Sequence, residues 1–216
     1  MALDGVSLEI EKGSVFGLVG ESGCGKTTLG KIILGILNPD SGRVVPGTDR
    51  LQVIFQDPHN SLDPKMKIYD ILSEGLLIGG HKDVMGRVEK TLDLVRLPRT
   101  AMGKYPHQFS GGERQRIAIG RAVITDPGFI VCDEPVSSLD VTIQLEILNL
   151  LKDIRKEFGM TYLFISHDLR VIKYICDRVA VMREGRIVEE GSVKQIYSNP
   201  SDLYTRNLLA SVTQVC

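Results

Sequence analysis

The stretch Gly20-Glu21-Ser22-Gly23-Cys24-Gly25-Lys26-Thr27-Thr28 fits the phosphate-binding pattern G-x-x-x-x-G-K-[ST]. The chemistry asks for these residue types. Glycines let the backbone turn tightly and offer successive N–H groups to an anion. Lys26 supplies a point charge for the β- and γ-phosphates, and the Thr27 hydroxyl suits a Mg²⁺ ligand. The stretch points to a nucleotide phosphate without saying which reaction follows.

Asp133-Glu134 stand directly after the apolar run Phe129-Ile130-Val131-Cys132. Adjacent residues on a regular strand point to opposite faces, so the two acids are expected to have different jobs. Asp133 suits Mg²⁺, held directly or through water. Glu134 suits orienting or deprotonating a water that attacks the γ-phosphate. His167 follows the next strand; by itself a histidine there reads as an ordinary loop residue, and beside the phosphate loop it has a second reading, as a contact to the same phosphate. Ser110-Gly111-Gly112-Glu113 has two readings. Serine with glutamate three residues on is a capping box, which stabilises a helix whatever its function. Capping does not demand two consecutive glycines, whereas exposed N–H groups at a helix start do favour small residues and bind anions.

These residues need elements to position them. Val15 to Val19 reads as a buried strand entering the glycine-rich loop, and Thr27 to Leu37 as the helix leaving it. Val6, Leu8 and Ile10 alternate with Ser7 and Glu9, which predicts a half-buried strand. Leu51 to Phe55, Phe129 to Cys132 and Thr161 to Ile165 read as further strands. Residues 59–109 change to helical spacing, over Ile68 to Ile78 and Asp83 to Leu97. Ser110 to Thr125 and the amphipathic Val141 to Phe158 are further helices, the latter stopped by Gly159. Val179 to Met182 and Arg186 to Val188 predict a hairpin about Glu184-Gly185, and a polar helical tail closes the chain. Alternating strands and helices imply a three-layer α/β sheet with ligands at the strands' carboxyl ends.

The bulk numbers exclude several classes. The 216 residues suffice for one domain with a sizeable core. The formal net charge of −1 gives no global case for nucleic acid. Cysteines 24, 132, 176 and 216 lie far apart, against a zinc or disulfide framework. No apolar run reaches the length of a membrane span and no signal peptide opens the chain, so any membrane role is expected through a partner.

Taken together, the motifs resemble the nucleotide-binding subunit of ABC transporters over nearly the whole chain. Gly20 to Thr28 resembles the Walker A, Gln56 the Q-loop and Ser110 to Arg114 the signature. Phe129 to Glu134 resembles the Walker B, Ser138-Leu139-Asp140 the D-loop and His167 the switch histidine. Finer features resemble the oligopeptide, dipeptide and nickel importer branch. These are Phe55-Gln56-Asp57-Pro58 with Ser61-Leu62-Asp63-Pro64, Tyr105-Pro106-His107-Gln108-Phe109, and Asn199-Pro200 with Tyr204-Thr205.

The resemblance implies a P-loop NTPase fold of the RecA-like kind: a mostly parallel sheet with flanking helices and an antiparallel β edge. It implies an ATP-binding core lobe (1–58 and 126–216) and an inserted helical lobe (59–125). It also implies ATP and Mg²⁺ as cofactors, with Thr27, Gln56 and Asp133 at the metal. Glu134, His167 and Gln56 carry catalysis in this reading. Ser110, Gly111, Gly112 and Asp140 serve a nucleotide shared with a second, head-to-tail ATPase subunit, identical or different. Permease subunits would couple hydrolysis to uptake of peptides or a similar small solute, at the inner face of the cell membrane.

Three departures stand out. Glu113 replaces the family's more frequent glutamine. No aromatic residue precedes Phe16 to stack adenine, and the Gly42 to Leu51 segment is short. A non-transport ABC ATPase in a soluble complex is the alternative, and co-purification with a multispan membrane protein separates the two. A P-loop kinase is a third class, against which the signature argues.

Overall fold

The computed structural model describes residues 2–213. Six strands form one sheet in the order β2-β3-β4-β1-β5-β6. They are β1 Val15–Val19, β2 Leu51–Ile54, β3 Phe129–Asp133, β4 Thr161–Ile165, β5 Arg178–Arg183 and β6 Arg186–Ser192. Every pairing is parallel except β5 with β6. β1 and β4 are buried at every position, as strands covered on both faces require. The β5–β6 hairpin turns on Glu184 (φ 48°) and Gly185 (φ 82°). Two positive φ values match the type I′ turn of a tight hairpin.

Nine helices surround the sheet in the described residues: α1 Lys26–Ile33, α2 Pro58–Ser61, α3 Ile68–Ile78, α4 Val84–Leu94, α5 Gly111–Val123, α6 Val141–Phe158, α7 Leu169–Ile175, α8 Val193–Ser198 and α9 Leu203–Thr213. Between β2 and β3 the chain forms no strand, only α2 to α5 and two short 3₁₀ turns. Leu72, Leu76, Val88, Leu92 and Ile117 from this stretch are fully buried together. The apolar stripes predicted from helical spacing make that packing. α6 spans its expected range, with the Asp140 carboxylate accepting from Ile143 N–H at 3.0 Å and Gly159 (φ 65°) ending it.

Three expectations need correction. Residues 6–10 form no strand. Val6, Leu8 and Ile10 are half-buried and pack on Phe16, Leu18 and Leu163, so the alternation is visible in burial. No partner strand pairs with them, however; residues 38–50 opposite them are irregular, and the two segments line an open cavity of about 940 Å³. α1 ends at Ile33, not Leu37, because Gly35 takes a left-handed turn (φ 71°). α4 ends at Leu94, three residues before Leu97, where Arg96 is left-handed (φ 60°).

Candidate nucleotide site

Strand order gathers the site. β2, β3, β4 and β1 lie side by side and parallel, so the residues that follow them meet at the carboxyl end of the sheet. Those residues are Gln56, Glu134, His167 and the Gly20 to Thr28 loop.

In the loop, Lys26 is 6% exposed, and its Nζ donates to the carbonyls of Gly20 and Glu21, each at 2.8 Å. The buried ammonium is thereby held inside the arch of the loop it serves. Gly20 (φ 155°) passes against β5, and a Cβ there would sit 2.1 Å from the Met182 carbonyl. Gly25 (φ 108°) is less tight but still has no room for a side chain, its would-be Cβ lying 2.5 Å from the Ala2 carbonyl oxygen. Gly23 is also left-handed (φ 82°). The glycines are therefore required by backbone shape. Gly25 caps α1, whose first turn carries Lys26, Thr27 and Thr28. Cys24 is a buried free thiol with its Sγ 3.7 Å from Lys26 Nζ.

At the same end of the sheet, Thr27 Oγ1 donates to Asp133 Oδ1 at 3.3 Å. Burial raises the Asp133 carboxyl above its ordinary value, and the charge of Glu134 adds to this. The Thr27 hydrogen bond, Lys26 and Lys31 oppose it. A carboxylate left short of positive charge beside a hydroxyl is a hard-oxygen pair suited to a divalent cation that also binds phosphate oxygens. Among the described residues no cluster of three His, Cys, Asp or Glu side chains could hold a metal unaided.

Glu134 differs from its sequence reading in one respect. Asp133 ends β3, but Glu134 has φ 49°, so a left-handed turn rather than strand alternation separates the two acids. Its Oε2 lies 2.9 Å from His167 Nδ1 and accepts from Gln56 Nε2 at 3.4 Å. The structure thus brings Gln56, Glu134 and His167 together, and Asp133 with Thr27.

The Ser110 segment stands apart. Its hydrogen bonds form a capping box: the Ser110 N–H and hydroxyl donate to Glu113 Oε2 at 2.9 and 2.7 Å. These bonds hold the Glu113 carboxyl below its usual value. A Cβ on Gly112 would lie 2.6 Å from Ile143 Cγ2, whereas one on Gly111 would meet Leu139 at an ordinary 3.6 Å. Packing against α6 therefore demands the second glycine but not the first. Asp140, expected at a shared nucleotide, caps α6 in the chain by itself.

Sequence reasoning missed Tyr204. Its hydroxyl accepts the Glu21 N–H at 3.2 Å across 183 positions of chain. The only sequence signal was the Tyr204-Thr205 pair near the end.

A profile described as ABC transporter matches residues 3–137. The oligopeptide transport ATP-binding protein OppF of Streptococcus mutans is 46% identical over 232 residues, covering 99% of this chain and 75% of that protein. The aligned stretch exceeds the chain's 216 residues, so that relative carries internal residues lacking here. Among solved structures, cbiO1 from Clostridium perfringens, part of the ABC transporter complex cbiONQ, has a TM-score of 0.84. It is 29% identical, over 99% of this chain and 91% of that one. The ATP-binding cassette MJ0796, solved as a dimer in a post-hydrolysis state with ADP and Pi, has a TM-score of 0.79 at 26% identity. That match covers 89% of this chain and 90% of the other. On sequence and on fold alike, the chain belongs to the ABC transporter family, whose ATPase subunit it is.

Proposed function

We propose that this chain hydrolyses ATP to ADP and phosphate to energise uptake of oligopeptides, or a similar small solute, through membrane permease subunits. The observation that carries the catalytic part is the Glu134 carboxylate, held between Gln56 and His167 at the end of β3. Adjacent to it are Asp133, Thr27 and the phosphate loop. The peptide part rests on the names of relatives such as OppF.

In this reading the phosphates lie against the backbone amides of the loop, with Lys26 as the loop's cation. Glu134 takes a proton from a water as the water oxygen attacks the γ-phosphorus and ADP departs. Gln56 and His167 hold the carboxylate in line by donating to it. Thr27 and Asp133, with Gln56, would hold Mg²⁺, which when bound neutralises charge on the β- and γ-phosphate oxygens. Ser110, Gly111, Gly112 and Asp140 complete the site of a second ATPase subunit packed head to tail. Residues 59–125 form the helical lobe of a single ATPase domain, and that lobe with Gln56 meets the permease. Among the described residues no helix is long and apolar enough to cross a membrane. In this reading the chain sits on the inner face of the membrane by binding the permease.

The test is reconstitution with the permease in vesicles. Phosphate release is expected to rise when oligopeptide is presented on the far side, with peptide accumulating only when ATP is present. Hydrolysis indifferent to both permease and peptide would remove the uptake reading and leave the ATPase.

A further inference from the structure

The C-terminal helix reaches back to the phosphate loop, and nothing in the catalytic reading uses it. α9 begins on β6, where buried Glu189 accepts from the Ser201 N–H and hydroxyl at 2.7 Å each and from the Asp202 N–H at 3.1 Å. Asp202 in turn accepts from the Tyr204 N–H at 2.8 Å. With its start fixed in this way, α9 places the Tyr204 ring under the Arg183 guanidinium, 5.1 Å from the ring centroid. Arg183 is the last residue of β5, which runs parallel beside β1 and ends at the same carboxyl end of the sheet. The Tyr204 hydroxyl accepts from Glu21 N–H.

That N–H belongs to the peptide unit joining Gly20 to Glu21. The carbonyl of the same unit accepts from Lys26 Nζ at 2.8 Å. One peptide plane is therefore gripped from both sides, by Tyr204 on its N–H and by Lys26 on its oxygen. Hydrogen bonds in such a chain polarise one another, so the bond to Tyr204 makes the Gly20 oxygen a better acceptor for Lys26. It also fixes the plane's rotation. A peptide free to turn at Gly20, which has no side chain to stop it, would carry the lysine's anchor with it.

We propose that Tyr204 is a positioning residue for nucleotide binding: through the Gly20–Glu21 peptide it sets where Lys26 stands, which makes α9 part of the ATP site. The tyrosine touches neither nucleotide nor reacting atoms in this account. It acts on ground state and transition state alike, so its loss weakens ATP binding and leaves turnover of bound ATP largely intact.

The experiment uses the full chain and Mg-ATP. Tyr204→Phe removes the hydroxyl and keeps the ring on Arg183; Tyr204→Ala removes both. A hydrogen bond of ordinary net strength is worth about 2- to 12-fold in an equilibrium constant. Tyr204→Phe is therefore expected to raise the Kd and KM for ATP by about that factor, with kcat within about twofold of the parent and a melting temperature lower by no more than a few degrees. Tyr204→Ala is expected to lose at least as much affinity. A role confined to bracing α9 predicts the opposite split, a lower melting temperature with ATP affinity intact. Unchanged affinity in folded Tyr204→Phe overturns the proposal. So does an affinity loss found only in Tyr204→Ala and following its melting temperature. Should Tyr204→Ala fail to fold, Tyr204→Phe decides alone.

Discussion

The Glu134 carboxylate and the His167 imidazole meet at 2.9 Å, joining the ends of two neighbouring parallel strands. Glu134 is mostly covered, while His167 is largely exposed. The fixed strand end thus carries the acid, and the loop after β4 carries its partner. Changing Glu134 to glutamine keeps the shape and removes the basic oxygen. Hydrolysis is expected to fall at least ~10²-fold, the low end of what a general base contributes. ATP binding, assigned in the proposed mechanism to Lys26 and the backbone amides, is expected to persist. Because ATP would then remain between two chains, light scattering is expected to show a dimer on adding Mg-ATP. Near-normal phosphate release would take Glu134 out of the catalytic role.

His167→Ala tests the same pair from the other side. The carboxylate keeps its basic oxygen but loses one of two donors, leaving Gln56 at a longer 3.4 Å. A smaller loss of kcat than in Glu134→Gln is expected, with KM for ATP little changed. An equal or larger loss would mean that His167 acts on the phosphate itself rather than through Glu134.

The glycines of the Ser110 segment separate packing from chemistry. Gly112→Ala drives a methyl against Ile143 and is expected to cost about 1–3 kcal/mol, the range for overpacking. Gly111→Ala has room against Leu139 and is expected to leave the melting temperature nearly unchanged. If the exposed amides serve a partner's nucleotide, Gly111→Ala still lowers hydrolysis. Full activity in that variant would return the segment to helix capping alone.

How much of this was legible in the sequence depended on range. The Glu184-Gly185 hairpin, the Gly159 stop and the strands around the phosphate loop are local, and their residue types specify them. Residues 6–10 carried the right alternation, but a strand also needs a neighbour, and alternation cannot report one. Glu134's left-handed backbone has no local signal either, since the Ile165 carbonyl that takes its N–H lies far along the chain. α7, only seven residues or about two turns, is too short for its amphipathic period to stand out. The Tyr204 contact was out of reach because it depends on where two elements land, not on either one's pattern.

Glu189 predicts an acid dependence. Burial by itself would raise its carboxyl, but the hydrogen bonds from Ser201 and Asp202 outweigh this and lower it from 4.5 to about 2. A folded-state value below the unfolded one stabilises the protein above the unfolded value, and the benefit is lost as pH falls. The anchor of α9 is thus expected to be fully effective above about pH 4.5 and to fade toward pH 2. Melting temperatures measured across that window for the parent and Glu189→Gln test this. The parent is expected to lose its advantage over the variant as pH drops; a constant gap would show that the carboxylate's charge is not what holds the helix.

The proposed head-to-tail arrangement makes a prediction that neither variant chain can satisfy alone. Ser110→Ala removes the serine hydroxyl from the capping box and is expected to cost ~1 kcal/mol of stability. Lys26→Ala removes the cation of the phosphate loop. If each nucleotide lies between one chain's loop and the other's Ser110 segment, both sites of each pure variant dimer are damaged. A mixed pair differs: one site combines the intact loop of the Ser110→Ala chain with the intact Ser110 of the Lys26→Ala chain. The other site carries both lesions. Mixing the two variants is therefore expected to restore part of the phosphate release that each lacks, in proportion to the mixed dimer formed. Differently tagged chains, captured through one tag and probed for the other, measure that fraction. If mixed dimers form and activity stays at the level of the separate variants, Ser110 does not act on its partner's nucleotide.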